Sequence, residues 1–230
     1  CYEYVDKLKE ETSFDYGQRV AQELEDEILR LGTDKVMAFI VEPVVGATMG
    51  AVPAVPGYFK KVRNICDKYG VLLILDEVMC GMGRTGHLFA SEFDEIAPDI
   101  LCIAKGLGAG YQPIGAMLCS KNIYNRLGKG SGFFQHGHTY MGHPVACAAA
   151  LAVLKAILNR KLLSSIKSKS NQLFNCLETQ LGHHPNIGDI RGRGLFIGIE
   201  IVKNIETKKP FDPNLKVAAS IKHAAFEAGL

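Results

Sequence analysis

Short apolar segments alternate with amphipathic helical patterns along the chain, and this alternation most narrows the folds that it can adopt. Three apolar runs, at residues 36–41, 71–75 and 99–104, are predicted to be β-strands. The intervals between them are about 30 residues, the size of a βαβ unit. Continuous β-rich runs such as residues 71–75 are typical of parallel strands covered on both faces. The sequence therefore predicts an α/β fold.

The other patterns predict a three-layer α/β/α arrangement around a mostly parallel (mixed) sheet. Helices are predicted at residues 18–31, 56–70, 144–158 and 161–181, and a further strand at residues 115–119. Glycines then recur in residues 190–201, which we interpret as one extended strand entering a new subdomain. A last helix is expected from about Asn214. We thus predict a large domain over residues 1–187 and the beginning of a small α+β C-terminal domain over residues 188–230.

Charge and cysteine content argue against several classes of protein. The chain has 26 basic and 24 acidic residues without a dense basic run, so nucleic acid is not an expected partner. No apolar stretch reaches the roughly 20 residues of a membrane span, and no signal-peptide pattern is visible at the start. The seven cysteines are scattered without a C-x-x-C pair, which is typical of a reducing compartment. We expect the cytoplasm, and an organelle matrix fits the same pattern.

An ionisable residue follows each of the three predicted parallel strands: Glu42, Asp76 and Lys105. Ligands of open α/β sheets bind beyond the carboxyl ends of the strands, so we expect these residues to meet at one edge. Any one of them alone would be read as an ordinary charge after a strand. The three together, two of them beside glycine-rich loops, favour a functional site. A lysine can form Schiff bases, and an aspartate can keep a pyridine nitrogen protonated so that the ring acts as an electron sink.

Three other patterns are weaker. Residues 71–77 look like the magnesium-holding strand of a nucleotide hydrolase, but no G-x-x-x-x-G-K-[ST] loop occurs in the chain. Residues 81–86 read G-x-G-x-x-G, yet no long helix follows and no acidic residue ends a second strand about 20 residues later, so we predict a loop. His136, His138 and His143 lack a carboxylate or cysteine companion at ligand spacing, and no metal site is expected.

Five segments carry a resemblance to a known family. They read VEPVVGATMGAVP (41–53), LILDEVMCGMGRTG (73–86), PDILCIAKGLGAG (98–110), HTYMGHP (138–144) and DIRGRGLFIGIE (189–200). Together they resemble the class III, or omega-type, aminotransferases, which belong to the fold type I group of pyridoxal-phosphate enzymes. The last segment is similar to the beginning of that family's small C-terminal domain.

The resemblance implies roles for five residues. Lys105 matches the lysine that holds pyridoxal 5′-phosphate as a Schiff base, and Asp76 matches the carboxylate that pairs with the ring nitrogen. Val78 matches the apolar residue against one face of the ring, and Glu42 matches an orienting glutamate near the cofactor. Thr139 matches a hydroxyl that reaches the phosphate of the neighbouring subunit's cofactor. A homodimer with shared active sites is therefore implied.

The implied reaction is transamination, which moves an amino group from an amino acid or amine to a 2-oxo acid or aldehyde. Ala47 stands where relatives that act on ornithine or 4-aminobutyrate carry a second glutamate, which argues against those specificities. Arg84 is similar to a loop arginine to which we assign a structural role. A class III relative that decarboxylates or isomerises, and a truncated nonenzymatic remnant of the fold, are the alternatives.

Two elements of the family have no counterpart in the sequence. One is the upstream turn and helix start that bind the cofactor phosphate, together with the aromatic residue that stacks on the ring. The other is the rest of the small domain, including its carboxylate-binding arginine. We therefore expect either a central part of a longer chain or a truncated relative, and we expect the 230 residues alone to be inactive.

Overall fold

Helices and strands alternate along the computed structural model, which describes residues 2–230. The elements are α1 (Glu3–Asp6), α2 (Ser13–Leu31), β1 (Ala38–Val41), β2 (Val44–Val45), β3 (Val52–Pro53), α3 (Tyr58–Tyr69), β4 (Leu72–Asp76), β5 (Ile100–Ile103), β6 (Ala116–Cys119), α4 (Lys121–Lys129), α5 (Pro144–Asn159), α6 (Leu162–Leu181), β7 (Ile187–Arg193), β8 (Phe196–Ile201) and α7 (Val217–Glu227). Short 3₁₀ helices lie at Ala90–Asp94, Lys105–Leu107 and Pro213–Leu215. None of the helices in this range has the length and apolarity needed to cross a bilayer.

The central sheet contains four strands in the order β1-β4-β5-β6. β1, β4 and β5 run parallel, whereas β6 is antiparallel to β5. Parallel neighbours need a crossover connection, and α3 lies in the one between β1 and β4. The sheet is mixed and mostly parallel, so the α/β fold class predicted from the sequence is confirmed.

The main hydrophobic core lies between this sheet and the helices. Phe59 and Val62 of α3, Leu73 and Leu75 of β4, and Ile28 of α2 belong to one cluster of buried side chains. Each such side chain contributes about 1.5–3 kcal/mol when it leaves water. The cluster fixes the sheet from which the strand-end residues project.

The first long helix begins earlier than its periodic apolar pattern predicts. We predicted a start at Gln18, but α2 begins at Ser13. Thr12 caps it, because its Oγ1 accepts the N–H of Asp15 at 3.1 Å. The last helix likewise begins at Val217 rather than near Asn214, which lies in a separate 3₁₀ turn.

Residues 190–201 do not form the single extended strand that we expected. β7 and β8 pair as an antiparallel hairpin, with Arg193 opposite Phe196. Gly194 turns the chain with a φ of +63°, and a Cβ added to it would lie 2.6 Å from the backbone carbonyl carbon of Thr85. The repeated glycines therefore mark a turn and a close backbone approach, which a strand pattern alone does not distinguish from a continuous strand.

This packing predicts that Gly194→Ala destabilises the protein more than Gly70→Ala does. Both glycines are left-handed, at +63° and +67°, but a Cβ on Gly70 would meet nothing within 4 Å. Gly70→Ala should cost about 1 kcal/mol of unfolding free energy from backbone strain alone. Gly194→Ala should cost roughly 3 kcal/mol, because the Thr85 backbone must also move. Denaturant unfolding of the full-length variants measures both, and equal losses would contradict the packing.

Candidate active site

The carboxyl ends of β1, β4 and β5 lie side by side at one edge of the sheet. Asp76 pairs with Cys102 of β5, and the last residue of β1 pairs with the residue before Asp76. Glu42 therefore leaves β1 at the level of Asp76, and Lys105 follows shortly after the end of β5. The structure thus brings Glu42, Asp76 and Lys105 to the same edge, where ligands of α/β sheets bind.

The turn after β4 gives two adjacent carboxylates different surroundings. Asp76 is half-buried, and its Oδ1 accepts the N–H of Val78 at 2.9 Å. Its Oδ2 accepts no hydrogen bond from residues 2–230. Glu77 is fully buried, and its two oxygens accept the N–H groups of Ala90 at 2.5 Å and Ser91 at 2.8 Å. Burial raises the pKa of Glu77, against the lowering effect of these donors. Of these two carboxylates, only that of Asp76 therefore has an oxygen that accepts no hydrogen bond from residues 2–230.

Lys105 occupies a strained turn that packs against the turn after β4. Its φ is +41°, a left-handed conformation that costs a non-glycine residue about 1–3 kcal/mol and occurs preferentially at functional sites. Its carbonyl accepts the N–H groups of Gly108 and Ala109, both at 3.1 Å. A Cβ on Gly106 would lie 2.8 Å from the Cβ of Met82, so glycine permits this approach. Lys105 is exposed, and its amine forms no hydrogen bond or ion pair with the described residues.

Glu42 leads from β1 into the β2–β3 hairpin. Its Oε2 accepts the N–H of Gly46 at 2.8 Å. A Cβ on Gly46 would overlap the sulfur of Met79, so glycine lets this hairpin approach the turn after β4. Sequence reasoning missed the contact. The local signal was a glycine close to the predicted glutamate, but Met79 follows a different strand and no local pattern identifies it as the partner.

Thr139 forms no hydrogen bond with Glu42, Asp76 or Lys105 within residues 2–230. The segment of residues 131–143, between α4 and α5, is exposed along its whole length. Thr139 sits in a turn in which Met141 donates its N–H to the carbonyl three residues before it, at 2.8 Å. Phe133, Tyr140 and Met141 are 63%, 70% and 68% exposed. The Thr139 hydroxyl forms no hydrogen bond within residues 2–230.

The G-x-G-x-x-G sequence at residues 81–86 forms consecutive turns, as predicted for a loop. The carbonyl of Arg84 accepts the N–H of Leu195 at 2.9 Å, which ties this loop to the hairpin of β7 and β8. Thr85 reinforces the loop by donating its hydroxyl to the carbonyl of Cys80 at 3.0 Å. Over the part of the chain that the structure describes, no group of three or more histidine, cysteine or acidic residues could hold a metal ion.

A cavity of about 520 Å³ lies beside the Lys105 turn. Its largely apolar walls come from the turn at residues 79–84, from α5 and α6, and from the start of β8. Lys105 lines the cavity, whereas Asp76, Val78 and Glu42 do not. The cavity therefore adjoins the strand-end site without containing its carboxylates.

The chain is similar to known aminotransferases in sequence and in structure. The sequence model of the family Aminotransferase class-III matches residues 2–230. An aminotransferase of Gibberella zeae is 47% identical over 219 residues, which cover 95% of this chain and 43% of that protein. An (S)-enantioselective omega-transaminase from Thermomicrobium roseum superposes with a TM-score of 0.94 at 38% identity, over 99% of this chain and 50% of that one. A PLP-bound aminotransferase mutant from Vibrio fluvialis gives a TM-score of 0.92 at 35% identity, over 100% of this chain and 51% of that one. The chain thus spans about half the length of these relatives.

Proposed function

Because this chain belongs to the class III aminotransferases, we propose that it holds pyridoxal 5′-phosphate at the strand-end edge and serves transamination. An amino group would move from an amino acid or amine to a 2-oxo acid or aldehyde. The observation that carries this proposal is the meeting of Asp76 and Lys105 at one edge, while Glu77 is engaged by buried N–H groups. The relatives are named aminotransferases and transaminases, which supports transamination over decarboxylation, isomerisation or a nonenzymatic role.

The residues at this edge fit the cofactor. Asp76 has a carboxylate oxygen that the described residues leave without a donor, and a carboxylate of this kind stabilises a protonated pyridine nitrogen. Lys105 has an amine free of competing partners within residues 2–230. Val78 is half-buried next to Asp76, where its apolar side chain would pack on one face of the ring. Glu42 would orient groups at the neighbouring strand end.

Each residue would then have a separate task. When bound, the cofactor supplies an electron sink that stabilises negative charge on the carbon bearing the amino group. Lys105 would hold the cofactor covalently through Nζ and, once displaced by the incoming amine, carry a proton between donor carbon and cofactor carbon. Asp76 would keep its negative charge beside the ring nitrogen and so hold the proton there.

We also propose a homodimer in which Thr139 of one subunit contacts the cofactor phosphate held by the other. Three observations on the described chain support it: the whole segment of residues 131–143 is exposed, large aromatic side chains project from it, and the Thr139 hydroxyl has no partner within residues 2–230. Aromatic residues and methionine are enriched in interface cores. Covering Phe133, Tyr140 and Met141 with a second subunit would remove them from water.

The remaining assignments are proposals of the same kind. The partners would be a small-molecule amino donor and an oxo-acid acceptor. We place the enzyme in the cytoplasm, with an organelle matrix as the alternative, because the six cysteines that the structure describes are free thiols. We keep the division between a large domain over residues 1–187 and the beginning of a small domain over residues 188–230, since β7 begins within one residue of this boundary, at Ile187.

Asp76→Asn should lower kcat by orders of magnitude, because the amide carries no charge to hold the ring proton. Its melting temperature should hardly change, since the amide oxygen can still accept the N–H of Val78. Glu77→Gln is the matched control and should lower the stability of the protein rather than its kcat. It offers one oxygen to two buried N–H groups, so it should lose about 1–3 kcal/mol of stability while keeping most of its turnover.

Turnover of the full-length variants with a panel of amines and 2-oxo acids, together with thermal denaturation, measures both effects. A large loss of turnover in Glu77→Gln with none in Asp76→Asn would reverse the assignment. Failure of the unaltered protein to transfer an amino group to any acceptor would contradict the proposed reaction.

Thr139→Ala should weaken cofactor retention by about 10- to 100-fold, because one charge-assisted hydrogen bond to a phosphate is lost. A heterodimer of a Lys105→Ala chain and a Thr139→Ala chain tests sharing more sharply. If the sites are shared, both substitutions lie in one active site, and the other active site has both native residues. Cofactor titration of the isolated heterodimer should then show one normal site. One site without covalent cofactor and one site with weakened cofactor binding would mean that each subunit supplies both residues to its own site.

A further inference from the structure

The loop Gly46–Ala51 connects β2 to β3 and begins beside the candidate active site. Its first N–H is held by Glu42, and its own carbonyl at Gly46 accepts the N–H of Gly50 at 2.8 Å. The tip, residues 47–50, is exposed. Because ligands approach parallel sheets beyond the carboxyl ends of the strands, this loop borders the space above the end of β1.

Arg191 of β7 fixes the far end of the loop. Its Nη2 donates to the carbonyl of Met49 at 2.8 Å, across 142 positions of sequence. A Cβ on Gly50 would lie 3.2 Å from the same nitrogen, so the loop backbone lies against the guanidinium. Gly198 of β8 reinforces the contact, because a Cβ there would overlap the carbonyl of Gly50. Arg191 therefore holds the loop against the β7–β8 hairpin, and Gly50 and Gly198 leave room for this close contact.

Three neighbouring side chains hold the guanidinium of Arg191 in place. Its guanidinium forms ion pairs with Glu200 at 2.8 Å and with Asp189 at 3.4 Å, and it lies 4.6 Å from the centre of the Tyr2 ring. The side chain is only 9% exposed. A cation fixed from three sides presents its donor to the Met49 carbonyl in one geometry, so little side-chain entropy is lost in that hydrogen bond.

We propose that Arg191 is a positioning residue that sets the Gly46–Ala51 loop beside the strand-end edge, where the amino donor would bind. This inference rests on the proposed function, since the donor would approach the strand-end edge next to Glu42. No hydrogen bond joins the loop to Lys105 or Asp76 within residues 2–230. The proposed effect of the loop is on donor binding rather than on the covalent chemistry.

Hydrogen exchange in the full-length protein with its cofactor tests the positioning. Arg191→Met should speed exchange of the amides in Gly46–Ala51 by about tenfold, because one charge-assisted hydrogen bond is lost. Arg193→Met is the matched control. Arg193 lies two residues along the same strand, is 8% exposed and pairs with Asp94 at 3.0 Å. Its other hydrogen bond goes to the carbonyl of Ala54 beyond β3 at 3.4 Å, and within residues 2–230 it forms none with the loop. It should leave exchange of the loop within about twofold, even though loss of a buried pair destabilises the protein.

Steady-state kinetics with an amine that the unaltered protein accepts test the consequence for the donor. Arg191→Met should raise the KM for that amine by about tenfold and leave kcat within about twofold. The absorbance of the cofactor should show that the amount bound is unchanged. Arg191→Lys, which keeps one cationic donor, should recover part of the KM.

The outcomes separate the two proposals. Unchanged loop exchange in Arg191→Met would overturn the positioning role of Arg191. Faster exchange with an unchanged KM would overturn the link between the loop and the donor. If the unaltered protein transfers no amino group, the proposed function fails, whereas the exchange measurement still decides whether Arg191 holds the loop.

Discussion

Parallel hydrogen bonding between β1, β4 and β5 is the constraint on which the candidate site depends. It aligns the carboxyl ends of three strands that lie far apart in sequence, so that Glu42, Asp76 and Lys105 leave the sheet at one edge. The hydrophobic core formed with α2 and α3 holds this alignment. A one-residue slip of a strand would turn its side chains to the opposite face. The register therefore fixes which carboxylate of the Asp76–Glu77 pair faces the ligand edge.

The turns at this edge are brought together by glycines and by buried acceptors. Gly46 and Gly106 let the loops after β1 and β5 approach the turn after β4, and Glu77 anchors that turn to the following 3₁₀ helix. Lys105 adopts a left-handed backbone conformation within this frame. Its strain is tolerated because the neighbouring contacts over-determine the turn. The chemistry proposed for Lys105 and Asp76 thus depends on the packing of the turns around them.

The sequence predicts the parts of the fold whose signals are local. Periodicity and stop residues such as Gly32 and Gly70 locate the long helices, and continuous apolar runs locate the parallel strands. The hairpin of β7 and β8 is not predicted, because the turn at Gly194 packs closely on the backbone of Thr85, a contact between distant segments. The same limit applies to the site. The positions of Asp76 and Lys105 follow from strand ends, but the hold of Arg191 on the loop at Met49 depends on tertiary packing that no local pattern encodes.

Borohydride reduction of the full-length protein with pyridoxal 5′-phosphate tests the central claim most directly. Reduction converts a Schiff base into a stable bond, so the pyridoxyl group marks the lysine that held the cofactor. The account predicts the label on the peptide that contains Lys105, and its loss in Lys105→Ala. Lys121 and Lys129 of α4 are the next lysines along the chain and serve as internal controls. A label on either of them, retained in Lys105→Ala, would contradict the assignment of the covalent anchor to the end of β5.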